Sequence, residues 1–369
     1  MNQRLQALHD AGVSIWLDDL SRQRIDGGEL ASMIEERSVT GVTTNPTIFA
    51  AAFQDMSVYG DQLAKLKEQG GDVEEVIAAL MSRDVKDACQ VFAPVFDQSN
   101  GYDGRVSIEV APTLANDADA TVAQAEQLAE RVGEDNVLVK IPATKEGLVA
   151  IRKTIASGIS VNVTLIFSLQ RYREVIDAYL SGLEDAAEQG RDLSLIHSVA
   201  SFFVSRVDTE IDQRLEEIGT EEALALRGKA AVANAQLAYQ AFQDAFNSER
   251  FAKLAEQGAN VQRPLWASTG VKNPDYADTM YVDQLVAPRC VNTMPEKTLL
   301  AFGERGTVAD SGDSITANYA NAGNVMAQLA MIGIDLDDVY DKLEKEGVDK
   351  FIKSWEELVE SVQTALDKA

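Results

Sequence analysis

The sequence predicts an α/β protein, a (β/α)8 barrel occupying residues 1–369 as a single domain, and three observations predict it. Short β-rich runs alternate with helical stretches along the whole chain, the signature of parallel strands joined by helical crossovers. Eight such runs can be marked, the number at which a parallel barrel closes. Seven of the eight carry a polar or charged residue at or just past their C-terminal end, where a barrel gathers its functional groups. An open doubly wound sheet fits the alternation nearly as well, so closure at this point is an expectation.

The runs, in order, are Val13 to Leu17, Gly41 to Thr44, Arg105 to Val110, Val137 to Ile141, Ser160 to Ile166, Ser194 to Val199, Pro264 to Ala267 and Arg289 to Thr293. Between them, Asp117 to Arg131 places Ala118, Val122, Ala125 and Leu128 on one helical face. Leu169 to Glu188 and Thr220 to Phe246 show the same periodicity. Two stretches exceed what crossovers need. Met56 to Phe96 is a long helical block, and the charged helical tail from Asp335 to Ala369 reads as a solvated helix pair or a cover over one barrel mouth. No internal repeat or low-complexity linker divides the chain.

Composition narrows the function. Hydrophobic residues make up 46% of the chain, enough for a large core, yet no run reaches the ~18 consecutive apolar residues of a membrane span. The N-terminus lacks the apolar stretch and small-residue site of a secretory signal, so a cytoplasmic protein is expected. Cys89 and Cys290 lie too far apart in sequence to suggest a disulfide framework. A net charge of −26 disfavours nucleic acid and anionic membranes as partners. An anionic substrate therefore needs a local cluster of cations or backbone N–H groups. His9 and His197 share no ligand spacing with the cysteines, so no metal is expected, and His197 reads as a core histidine late in its strand. No phosphate-loop, dinucleotide or nucleophile-elbow motif is present.

The polar strand ends are Asp18, Asn45, Glu109, Lys140, Asn162 with Thr164, Ser201 with Arg206, and Ser268. Lys140 is central. In VLVKIP it follows an apolar run, and a lysine held among aliphatic side chains loses the hydration that favours its ammonium form. A neutral amine is what a Schiff-base nucleophile requires, although a strand-end lysine can also snorkel to solvent. Asp18 and Glu109 follow β-rich runs and can act as a proton-transfer pair, or pair with a cation or cap a helix, with Asp19 and Asp117 as local competitors. In GVTTNPTIF, Pro46 holds Asn45 extended, aiming its amide at a ligand hydroxyl or closing an Asx turn.

These segments carry a resemblance. GVTTNPTIF resembles the first signature of the transaldolase family, VLVKIPATKEGLVAIRK its second, and ISVNVTLIFS and SVASFFVSRVD two further strands of that family, in the right order from about Asp18 to about Pro295. The resemblance implies a TIM-type barrel that moves a dihydroxyacetone unit between sugar phosphates in the pentose phosphate pathway, with no cofactor. It implies that Lys140 forms an imine with the C2 carbonyl of a ketose phosphate and that Asp18 takes the C4 hydroxyl proton. Glu109 and Thr164 would hold a proton-shuttling water, and Asn45 and Asn162 the hydroxyls of the retained enamine. Ser201 and Arg206 would contact the substrate's outer end and phosphate, with Thr43, Phe203 and Ser268 also at the substrate. One departure stands out: many members carry an arginine two residues after the serine of the seventh strand, where this chain has Gly270, with Lys272 the nearest replacement.

A related aldolase, which releases dihydroxyacetone, is the nearest rival; those relatives are shorter and carry tyrosine where Phe203 stands. There is no room for a fused isomerase domain. A catalytically dead binding barrel is a third reading, against which all the expected groups are present. Oligomeric state is open between monomer and homodimer.

Overall fold

A computed structural model describes residues 1–368. Eight parallel strands close into a barrel in sequence order: β1 (Val13–Leu17), β2 (Val39–Val42), β3 (Arg105–Glu109), β4 (Val137–Pro142), β5 (Val161–Ile166), β6 (Ser198–Phe203), β7 (Gln262–Ala267) and β8 (Cys290–Met294). The ring shuts by pairing β1 with β8, from Val13 opposite Cys290 to Leu17 opposite Met294, which decides against the open sheet. Both cysteines are buried and free. No described helix is long and apolar enough to cross a membrane.

Local chemistry sets where each strand starts and stops. β2 begins at Val39 and ends at Val42, earlier than the sequence suggests, because Asn45 caps the helix Pro46–Ala52 and the two threonines before it turn their hydroxyls to tertiary partners. β6 lies four residues later than expected. Asp192 accepts hydrogen bonds from the Ser194 backbone and hydroxyl, folding Leu193–Leu195 into a 3-10 turn, and the ladder starts only after His197. His197 therefore sits below the strand rather than late in it. Burial and the charges of Arg105 and Arg263 push its pKa down to about 3, so it is a neutral structural ring. The expected helix from Thr220 to Phe246 is broken at Gly228, whose φ of +70° follows the short helix Glu221–Leu224 and precedes Ala230–Phe246.

The lower end of the barrel is closed by a buried polar knot. Asp103 accepts from the Ser14 hydroxyl at 2.6 Å, the Trp16 indole at 3.2 Å and Arg263 at 3.2 Å, while Arg263 also donates to Ser14. Trp16 and Trp266 are fully buried, among the largest side chains of the core. Gly41 is required here: a Cβ at this position would lie 2.6 Å from the Trp16 ring.

The Met56 to Phe96 block resolves into a 3-10 turn Met56–Tyr59, a helix Gly60–Glu68 and a 26-residue helix Val73–Gln98. It is tied down at Asp84, which receives Arg22 at 2.7 Å and the Tyr59 hydroxyl at 2.8 Å. The tail is one 33-residue helix, Leu336–Lys368, not a pair. Ser354 on it bonds Thr47 at 2.9 Å, and Lys67 Nζ donates to the Leu366 carbonyl, so the helix lies across the barrel mouth formed by the strand C-termini.

Candidate active site

At that mouth a cavity of about 270 Å³ is lined by Asp18, Thr43, Asn45, Lys140, Ser201, Phe203, Arg206, Ser268 and Lys272 among others. A larger one, about 760 Å³, opens at the opposite end around Arg105, Ser160 and His197, but it receives nothing from the strand C-termini. A barrel gathers its functional groups at the strand C-termini, so the smaller cavity is the candidate active site.

Lys140 projects from β4 and is only 4% exposed. Its surroundings are not simply aliphatic, as the apolar run around it suggests. Nζ donates to the Thr44 carbonyl at 2.9 Å, lies 3.2 Å from Glu109 Oε2, and sits 5.9 Å from the centre of the Phe351 ring. β3 and β4 bring the pair together, since Glu109 is the register partner of Lys140. Burial pushes the Glu109 carboxyl up to about 7, against the lowering pull of the Lys140 charge. Although close enough to form an ion pair, Glu109 Oε2 makes no well-directed hydrogen bond, and neither does the buried Thr164 Oγ1 on β5.

Asp18 follows β1, half-buried beside the cavity. It accepts from Thr43 Oγ1 at 2.6 Å, and Thr43 in turn lies 2.6 Å from Thr293 Oγ1. With Asp18 ionised, the three form a relay in which Thr293 donates to Thr43 and Thr43 to Asp18. Crowding by the protein raises the Asp18 pKa, and the nearby Lys140 charge and the Thr43 bond oppose it. Of the local competitors, Asp117 caps Ala118–Val132 and Asp19 pairs with Arg24.

Asn45 lines the cavity and also caps its helix, Oδ1 accepting from Ile48 N at 3.0 Å. One of the two acceptor sites on its oxygen is therefore engaged, and the NH₂ is left for a ligand. Asn162 is fully buried, donating to Ser107 at 3.0 Å and accepting from Ser201 at 2.7 Å. It orients Ser201, which does line the cavity from within β6. Phe203 ends β6, packed on Phe167 with ring centres 5.2 Å apart, and the Arg206 guanidinium lies 5.2 Å from its ring. Ser268, just past β7, has a left-handed φ of +56° and bonds Ser205 at 2.8 Å, a strained conformation costing about 1–3 kcal/mol.

Sequence reasoning missed Thr293, Lys350 and Phe351 at this cavity. Thr293 had a signal, as the last residue of the eighth run, the one strand without an assigned polar end. The other two had none, because they come from the tail helix. Among the described residues, no cluster of three His, Cys, Asp or Glu side chains is arranged to hold a metal ion.

The family model for transaldolase/fructose-6-phosphate aldolase matches residues 15–362. The chain belongs to that family. It is 58% identical over 368 residues to a transaldolase of Mycolicibacterium smegmatis, covering 100% of this chain and 99% of that protein. It is 57% identical to a transaldolase of Arthrobacter over 369 residues, covering 100% and 99% of the two chains. It is also 56% identical to transaldolase 2 of Streptomyces coelicolor over 368 residues, covering 100% and 98%. This family member is an enzyme, and likeness of this degree over the whole length supports transaldolase function.

Proposed function

We propose that the chain transfers a dihydroxyacetone unit through a Schiff base on Lys140, from sedoheptulose 7-phosphate or fructose 6-phosphate to glyceraldehyde 3-phosphate or erythrose 4-phosphate, in the non-oxidative pentose phosphate pathway. The observation that carries it is the setting of Lys140: a buried amine opening on the cavity, with Glu109 at 3.2 Å and Asp18 lining the same cavity. In the proposed sequence the Lys140 amine adds to the C2 carbonyl, and the carbinolamine loses water to give an iminium. Asp18 takes the C4 hydroxyl proton as the C3–C4 bond breaks. The bonding pair flows into the iminium to form an enamine, and the shortened aldose phosphate leaves. The enamine then attacks the aldehyde of the acceptor, which regains the proton from Asp18, and hydrolysis frees the lysine. Glu109 Oε2 and Thr164 Oγ1, neither of which makes a well-directed hydrogen bond, suit a water that shuttles protons in the imine steps. Asn45 and Ser201 address substrate hydroxyls, and Arg206 with Lys272 supplies the local positive charge that an acidic protein needs to bind a phosphate.

Transfer is favoured over simple cleavage by Phe203. Its phenyl ring, held against Phe167, has no hydroxyl with which to organise the water that releases the enamine. The test is release of glyceraldehyde 3-phosphate from fructose 6-phosphate, measured with and without erythrose 4-phosphate. Acceptor-dependent release is expected. Equal release without acceptor identifies an aldolase, and no release with either identifies a binding protein.

The pH profile follows from Glu109. Above about 7 its carboxyl is ionised and accepts a proton; below, it is protonated. The kcat/KM for fructose 6-phosphate is therefore expected to fall as pH drops through about 7, and Glu109→Gln to lose that limb along with about 10²-fold of activity. The stability sign is opposite to that of a surface carboxylate. The native state holds an extra proton between 4.5 and about 7, so the contribution of Glu109 to stability is full below that window and lost as pH rises through it.

A further inference from the structure

Three cations line the mouth cavity: Arg206 from the helix that follows β6, Lys272 from the loop after β7, and Lys350 from the tail helix. Among the described residues, none of the three lies within ion-pair distance of a carboxylate, in a chain with 59 acidic residues. The contrast within the tail helix is direct: two turns before Lys350, Lys342 bonds Glu210 at 2.7 Å. Burial and the neighbouring Arg206 charge hold Lys272 and Lys350 below the usual lysine range, with Lys350 adding to the effect on Lys272. Like charges gathered without counter-charge suit an anion of more than one negative charge.

The helix is seated so that Lys350 is held at this place. Gly347, Lys350, Phe351 and Ser354 share one helical face. At Gly347 the backbone runs so close that a Cβ would lie 2.9 Å from Leu165 Cδ2 and 3.5 Å from Arg206 Nη1. Phe351 is 3% exposed, and Ser354 is bonded to Thr47. At Gly270, by contrast, no side chain reaches into the cavity.

We propose that Lys350 is a ligand of the substrate phosphate, completing with Arg206 and Lys272 a three-cation site whose last member is delivered by the C-terminal helix. This rests on the sugar-phosphate reading above. The helix then has a role in substrate selection beyond covering the mouth, and Lys350 takes over the charge that Gly270 does not provide.

The test compares Lys350→Gln and Lys350→Arg with the wild type in two assays. In the first, inorganic phosphate is titrated calorimetrically into the resting enzyme, a measurement independent of any chemistry at Lys140. In the second, kinetics are followed with fructose 6-phosphate and erythrose 4-phosphate, and with the unphosphorylated pair fructose and glyceraldehyde. Loss of one charge-assisted contact is expected to weaken phosphate binding and raise the KM for fructose 6-phosphate by about tenfold or more in Lys350→Gln. Turnover of the unphosphorylated pair should stay within about twofold, and Lys350→Arg should recover most of the loss. Unchanged phosphate binding in Lys350→Gln overturns the proposal. So does an equal loss on both sugar pairs, which assigns Lys350 to seating the helix. Failure of the wild type to turn over either pair while phosphate binding still depends on Lys350 counts against the transfer chemistry and leaves the phosphate site standing.

Discussion

Lys140→Met is expected to abolish turnover while leaving the barrel folded, lowering kcat by about 10⁴-fold or more, the scale on which removing a covalent nucleophile acts. Methionine matches the lysine stem in length and keeps its packing inside the barrel. The cost to stability is limited because the partner left behind, Glu109, already has its carboxyl pushed up to about 7 by burial. Without the lysine charge it moves higher still and is neutral at physiological pH, so no bare charge remains buried. A near-native thermal midpoint together with lost activity is the expected pair of results. Activity retained in Lys140→Met overturns the covalent mechanism, whereas an unfolded variant means that the Lys140–Glu109 pair holds the fold as well.

Asp18→Asn is expected to separate imine formation from carbon–carbon cleavage. The asparagine oxygen keeps the acceptor for Thr43, now held at 2.6 Å, so the Thr293–Thr43 relay persists. The amide does not take the C4 hydroxyl proton. Release of glyceraldehyde 3-phosphate should fall by about 10²–10⁴-fold, the range for losing a general base. Borohydride should still trap fructose 6-phosphate on the enzyme, because Lys140 and Glu109 are untouched. Loss of trapping along with cleavage would place Asp18 in imine formation and contradict the role given to it here.

Much of this was legible in the sequence, for a physical reason. In a parallel barrel each strand is an apolar run whose polar residues gather at its C-terminal end, so Asp18, Asn45, Glu109, Lys140 and Ser268 could be read off one strand at a time. The second strand shows the limit of that reading, because Thr43 and Thr44 are β-formers drawn out of the ladder by bonds to Asp18 and the Ser107 carbonyl. The sixth fails for a related reason: one aspartate, Asp192, stabilises a turn where apolar residues alone suggest a strand. Asn162 reads as a ligand contact, yet its amide is used inside the barrel between Ser107 and Ser201. Lys350 was out of reach. In DKFIKSWEEL nothing separates it from Lys353 until the docking of the helix on Thr47 and Leu165 is known.

The most direct test of the account is borohydride reduction of the wild-type enzyme incubated with fructose 6-phosphate, followed by peptide mass mapping. A dihydroxyacetone-derived adduct on Lys140, absent from Lys140→Met, is the predicted result. No adduct, or an adduct on another lysine such as Lys272 or Lys350, would contradict it.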